Sequence, residues 1–294
     1  MSWIIFAIFA AFLGAVTNII DKYILTKVVR KPLVPVLIIG ILGLIYGIII
    51  FLVRGFGNLT ISLILIGLLS GIFYTLTYLF YFKAVKVGEI SRIAIAERIK
   101  PLLVLLLATL FLGEILAAKN YLGIILIFFG TVLISFRKGK KLFLEKGMGY
   151  RLLSCIFFAV AAILGKYLLN FTDYFTVFAY MQLGIFLTLL LVFNKKFSLI
   201  VETAKESGKK GIGMIVISQI LGLLSVFLAV IATSKGPVSI VSAFISIQPL
   251  FVLFLVFILS WFYPSIIKEE LSGKAWIIKF ISVVLIVMGV VLIS

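Results

Sequence analysis

Histidine is absent from the 294 residues, and there is a single cysteine, Cys155, set in an apolar run. The first absence excludes histidine general bases, catalytic triads and histidine-ligated metals. The second excludes a disulfide framework and a cysteine metal site. Charge is also scarce: 13% of residues are charged, only ten of them acidic, against about 25% charged in a soluble domain. No GxxxxGK[ST] occurs, so the chain has no P-loop. With neither convergent nucleophiles nor metal ligands, the sequence does not read as an enzyme, and no cofactor or metal is expected.

What is present is apolar surface. Hydrophobic residues make up 64% of the chain and the mean hydropathy is +1.34, too much for a water-soluble globule to hide. The net charge of +17 does not signal nucleic-acid binding, because the basic residues lie in short segments between apolar stretches. A spanning helix needs about 20 mostly apolar residues. Runs of that kind place spans near 2–20, 34–53, 60–82, 90–112, 120–136, 149–169, 174–194, 211–232, 238–262 and 275–293. The first lacks a basic leader and a small-residue cleavage site, so it reads as a retained helix. Linkers are short, with 137–148 and 195–210 the longest polar ones. The expected product is an all-α integral membrane protein of ten transmembrane helices in the cell (plasma or inner) membrane.

Shifted by 148 residues, Pro101-Leu102 falls on Pro249-Leu250, Ser70 on Ser218, and the Gly88 and Ser91 segment on Gly236 and Ser239. A shift of 144 brings Lys22-Tyr23 onto Lys166-Tyr167, and one of 159 brings Gly130 onto Gly289. The chain therefore reads as two five-helix repeats, 1–136 and 149–294, joined by a basic connecting loop at 137–148. An odd number of spans inverts the second repeat, a plan that puts substrate sites near the midplane between halves. Loops after odd-numbered spans hold twenty Lys and Arg and the opposite side three. The count includes Arg151, and it places the first set in the cytoplasm and both termini outside.

Several residues are candidates for a site. Glu97, Arg98 and Lys100 sit inside the fourth span, where each charge costs about 2.5–3.5 kcal/mol near a bilayer centre. They form either a substrate or proton site, or an internal cluster with Glu97 paired to Lys100 and Arg98 snorkelling to the cytoplasmic edge. Pro101 and Pro249 each remove a helical hydrogen bond and kink the chain at matching places, which suits hinges and equally suits static architecture. Ser239, Ser242, Ser246 and Pro249 share one helical face, a hydroxyl wall or small-residue packing. On the third span Ser70, Tyr74, Tyr78 and Tyr81 share a face that offers an aromatic wall, Tyr81 also suiting an interfacial belt. Its counterpart carries Ser218 and Gln219. Asn18 is an isolated polar group late in the first span, and Gln182 reads as interhelical glue. Lys166 reads as an anchor at the headgroups. Gly43 and Gly47, like Gly67 and Gly71, have GxxxG spacing.

The run Tyr81-Phe82-Lys83-Ala84-Val85-Lys86-Val87-Gly88-Glu89-Ile90-Ser91, then Glu97-Arg98-Ile99-Lys100-Pro101, then Phe111-Leu112-Gly113-Glu114, resembles the EamA family of the drug/metabolite transporter superfamily. The second half repeats it weakly, at Ala232 to Pro237, Pro249 and Gly289. It departs in lacking Leu-Gly-Glu, with Lys268-Glu269-Glu270 in a longer loop; Lys100 and Gln248 also precede the two prolines where the family often has apolar or acidic residues. The resemblance implies a ten-helix basket, with helices 1, 3, 4, 6, 8 and 9 around a cavity and 5 and 10 at the rear, supporting a homodimer. It implies a secondary transporter of a small polar or amphipathic metabolite, amino-acid-like or other, working by alternating access as an exporter, coupled to protons or as facilitated diffusion. The alternative is a flippase-like carrier or passive channel for a lipid-linked group or small solute. The expected substrate-binding residues are Asn18, Tyr74, Tyr78, Glu97, Arg98, Gln219, Ser242 and Ser246, with Pro101 and Pro249 as hinges.

Overall fold

The computed structural model describes residues 2–24, 33–87, 96–135, 147–262 and 273–293. Most of the connecting loop, Ser91, the 263–272 loop and the side chain of Lys22 lie outside the described residues. The regular structure among the described residues is all helical, in the order α1 (Ser2–Tyr23), α2 (Leu33–Arg54), α3 (Ile61–Val87), α4 (Lys100–Leu112), α5 (Ala118–Ser135), α6 (Met148–Leu168), α7 (Tyr174–Phe193), α8 (Ser198–Lys235), α9 (Val238–Ser246), α10 (Gln248–Phe262) and α11 (Gly273–Ile293).

Among the described residues, seven segments are long and apolar enough to cross a membrane: Trp3–Asp21, Leu33–Arg54, Ile61–Tyr81, Met148–Leu168, Tyr174–Lys196, Ser198–Lys235 and Val238–Ile258. Ala118–Ile134 and Ile277–Ile293 are shorter apolar helices, and the fourth expected span is described from Ala96 onward.

Local chemistry sets the boundaries. The Asp173 carboxylate accepts from the amides of Phe175 and Thr176 and starts α7. Gly113, at φ 63°, ends α4 in the left-handed conformation that glycine adopts without strain. Both prolines sit just after a break. A 3-10 turn, Glu97–Ile99, precedes α4 with Pro101 in its first turn; Ile247 separates α9 from α10, with Pro249 following. The ninth span is thus two helices in tandem. The 195–210 linker also departs from expectation, because most of it is helical. Residues from Ser198 run into the eighth span through a bend at Gly208, whose φ of 67° a larger side chain would resist.

The packing alternates between the two parts of the chain. α3 lies on α6 and α7, and α8 lies on α1 and α2; α4 packs on α6, and α9 and α10 pack on α1. Three further pairs are α2 with α7, α4 with α9, and α5 with α11. Glycines let these helices close in. A Cβ on Gly71 would press on the Met181 carbonyl and the Ile185 amide, and one on Gly43 or Gly47 would also meet α7. A Cβ on Gly123 would lie 2.8 Å from the Gly289 oxygen, and one on Gly130 would lie 2.9 Å from the Ser282 oxygen. Both GxxxG spacings therefore serve as seats for α7.

Candidate functional site

Charge gathers where the turn before α4 meets the start of α6. Glu97 Oε1 lies 2.7 Å from Lys100 Nζ, the expected i,i+3 pair, and Oε2 lies 2.8 Å from an Arg151 guanidinium nitrogen. Arg151 is the residue that sequence reasoning misplaced. Counted as a loop charge, it is buried, with a side chain 2% exposed against 34% for Glu97. Its guanidinium stacks 4.6 Å over the Tyr81 ring and donates to the Ser154 hydroxyl, which donates on to the Thr77 carbonyl. Tyr81 therefore covers an internal ion pair. The only signal in the sequence was an arginine three residues into an apolar run. Arg98 does not simply reach for water, since its Nε is buried with no hydrogen-bond partner among the described residues.

An aromatic wall adjoins this cluster. Lys100 Nζ sits 4.6 Å over the Phe158 ring; Phe158 meets Tyr74 at 5.8 Å, and Tyr74 meets Tyr78 at 6.1 Å. Tyr78 is within electrostatic reach of both Glu97 and Asp21.

Asp21 is the second residue the sequence reading missed, because the first span was ended one residue before it. Its Oδ1 accepts from the Ser218 hydroxyl at 2.6 Å and from the Gln219 amide at 3.2 Å, joining α1 to α8. Gln219, expected to contact substrate, is engaged by Asp21. Asn18 lies one turn earlier on α1 and is exposed.

The expected hydroxyl face on α9 is divided. Ser239 donates to Glu114 at 2.9 Å, Ser246 donates back to the Ala243 carbonyl, and Ser242 is buried. The Ser239 amide also donates to Glu114, so a carboxylate from the end of α4 caps the start of α9. Lys166, read as a headgroup anchor, donates its ammonium to the Thr233 and Gly236 carbonyls and caps the end of α8. Glu114, Lys166, Leu112, Asn170 and Pro237 line a cavity of about 290 Å³. Gln182 is fully buried against Gly43, its Oε1 without a hydrogen-bond partner among the described residues.

Two polar stations thus lie at opposite ends of α4. At 1.5 Å per residue, its 13 residues separate Lys100 from the Gly113 turn by about 20 Å. No group of His, Cys, Asp and Glu among the described residues could hold a metal ion.

Comparisons with known proteins agree on the class. Residues 1–136 match the EamA-like transporter family. Uncharacterized transporter YxxF of Bacillus subtilis (strain 168) is 31% identical over 121 residues, 40% of this chain and 39% of that protein. An uncharacterized transporter in the cobO 3' region of a Sinorhizobium species is 36% identical over 67 residues, 23% of this chain and 48% of that protein. The chain therefore spans less than half the length of either curated relative. One protein of known crystal structure shares the fold at a TM-score of 0.74 and 18% identity, over 100% of this chain and 97% of that one. Together with the seven apolar helices among the described residues, these matches identify a multi-pass membrane protein whose residues 1–136 are similar to the EamA-like transporter family.

Proposed function

We propose that the chain is a secondary transporter that exports a small polar or amphipathic metabolite by alternating access between two inverted five-helix repeats, 1–136 and 149–294. The observation that carries the reading is the charged junction between the repeats: Glu97 and Lys100 come from the first, Arg151 from the second. Charge this deep is costly in lipid and is ordinarily tied to a substrate or ion path.

The pseudo-twofold relation is supported by contacts that repeat under the sequence offsets. Offsets of 144 on the first helix and 148 on the third and fourth map the Ser154–Thr77 hydrogen bond onto Ser225–Ala10. They map the Lys100–Phe158 contact onto Gln248–Gly14, where a Cβ on Gly14 would lie 2.9 Å from Gln248 Nε2. An offset of 159 maps the Gly123–Gly289 approach onto Ser282–Gly130.

In this reading the two stations are gates. One is Glu97 with Lys100 and Arg151; the other is Glu114 on Ser239 with Lys166 on the Thr233 and Gly236 carbonyls. They close in alternation as α4 and the α9–α10 pair bend at the breaks before Pro101 and Pro249. In the same reading Tyr74, Tyr78, Asn18 and Asp21 face the solute. The orientation follows the basic loops, with the 137–148 loop cytoplasmic. The test is a metabolite-accumulation screen in cells expressing the protein, followed by flux of each hit in proteoliposomes. Solute-specific flux is expected. Flux confined to labelled lipid would select the flippase-like reading, and non-saturating flux a channel.

A further inference from the structure

We infer that Asp21 is the recognition point for a cationic group on the transported solute, so that the class carried is organic amines; the inference rests on the transporter reading above. Three carboxylates stand at the polar stations or between them, and they are not alike. Glu97 is flanked by Lys100 and Arg151. Glu114 caps the first turn of α9 through Ser239, with Lys166 in electrostatic reach. Asp21 has no cationic partner among the described residues. Only its Oδ1 is engaged, by Ser218 and Gln219 from α8. Its second oxygen accepts nothing from the described residues and is not among the buried, unpartnered atoms.

The surroundings suit an ammonium group. Asp21 is within electrostatic reach of Tyr78 and Tyr81 on α3, and aromatic rings in a carboxylate's vicinity add cation–π attraction to its ion pairing with an amine. Arg98, Lys100 and Arg151 outnumber Glu97 at the junction of α4 and α6, so a cation is disfavoured there and favoured at Asp21.

The pseudo-symmetry sharpens the point. The offsets that carry Ser218 to Ser70 carry Asp21 to Gly165, and an added Cβ on Gly165 would indeed lie 3.7 Å from the Ser70 hydroxyl. There Ser70 bonds the Ala161 carbonyl instead. The frame therefore closes without a carboxylate, and Asp21 is an addition to it.

The test uses the full chain, purified in detergent and in proteoliposomes, with phenethylamine and methylammonium as probes and 3-phenylpropanol as a neutral isostere. Phenethylamine is expected to raise the thermal unfolding midpoint and the alcohol to leave it unchanged. Asp21→Asn should weaken amine binding about tenfold or more, and Asp21→Glu should keep most of it. Ser218→Ala, which leaves the carboxylate but loosens it, should cost about threefold and keeps the test alive if Asp21→Asn fails to fold. Equal amine affinity in Asp21→Asn, equal binding of amine and alcohol, or no binding of either amine overturns the assignment. Labelled phenethylamine flux separates the two readings. Asp21-dependent binding without flux sinks the transporter and leaves the amine site, whereas amine flux indifferent to Asp21 sinks the site and leaves the transporter.

Discussion

Glu97 and Arg151 show how little a lone charge reveals until its partner is known. An arginine with a side chain 2% exposed is tolerated in lipid because a carboxylate lies beside it and a tyrosine ring covers it. Breaking such a pair from one side leaves the other charge stranded, at about 3–5 kcal/mol when both are buried. Because Glu97 is 34% exposed, Glu97→Gln should cost less, about 1–3 kcal/mol. It should lower the unfolding midpoint in detergent, and the double variant with Arg151→Gln should recover more than half of the loss. Simple additivity of the two single changes would show that the pair carries no coupling. Under the proposed function, Glu97→Gln should lose gradient-driven accumulation in transport assays while part of the downhill flux persists, because the proposed solute-facing residues are untouched.

Helix against helix, the contacts are made by what glycine lacks. On α3, Gly71 is held against the Met181 carbonyl and Ile185 amide, backbone atoms that cannot turn aside. Gly71→Val should therefore force α3 from α7, at about 1–3 kcal/mol or more, and reduce the monodisperse fraction on size-exclusion chromatography. Gly165→Ala is the matched control: its new methyl meets only the Ser70 hydroxyl at 3.7 Å, and it should fold normally. The prolines act on the same scale. The breaks before Pro101 and Pro249 interrupt the helical hydrogen-bond ladder, which is where bending costs least. Pro101→Ala and Pro249→Ala should each lower transport several-fold while leaving expression near wild type. Normal transport in both would make the kinks fixed architecture.

The whole molecule poses the question of which way it faces. Twenty basic residues in one set of loops against three in the other predict a cytoplasmic 137–148 loop and a C-terminus outside. Moving Arg151 from the loop count to an internal pair leaves that asymmetry intact. Reporter fusions at the C-terminus and within the loop check it, and a cytoplasmic C-terminus would reverse the orientation without touching the repeat. Under the proposed repeat, the two halves share a frame but not their chemistry. The offsets that superpose Thr77–Ser154 on Ser225–Ala10 carry Glu97 and Arg151 onto Ile245 and Ala7, both in the apolar core with Phe244. One half therefore supplies the charge and the other the packing.

The sequence by itself determined the class of this protein. Apolar runs of spanning length, too few charges for a soluble surface, and Gly and Pro recurring at one offset are local properties, readable because lipid imposes the same demand along every span. Legible in the same way were the kinks at Pro101 and Pro249 and the Glu97–Lys100 pair, which need only neighbours along one helix. The tertiary structure alone decided which charges meet. Arg151 looked like a loop residue and Lys166 like a headgroup anchor, since a sequence ranks a charge by its distance from the end of an apolar run. Asp21 fell just past a drawn boundary, and its partners stand 197 and 198 positions away. A helix end lies in water or in protein according to what packs beside it, and that is fixed only when α1 meets α8 and α4 meets α6.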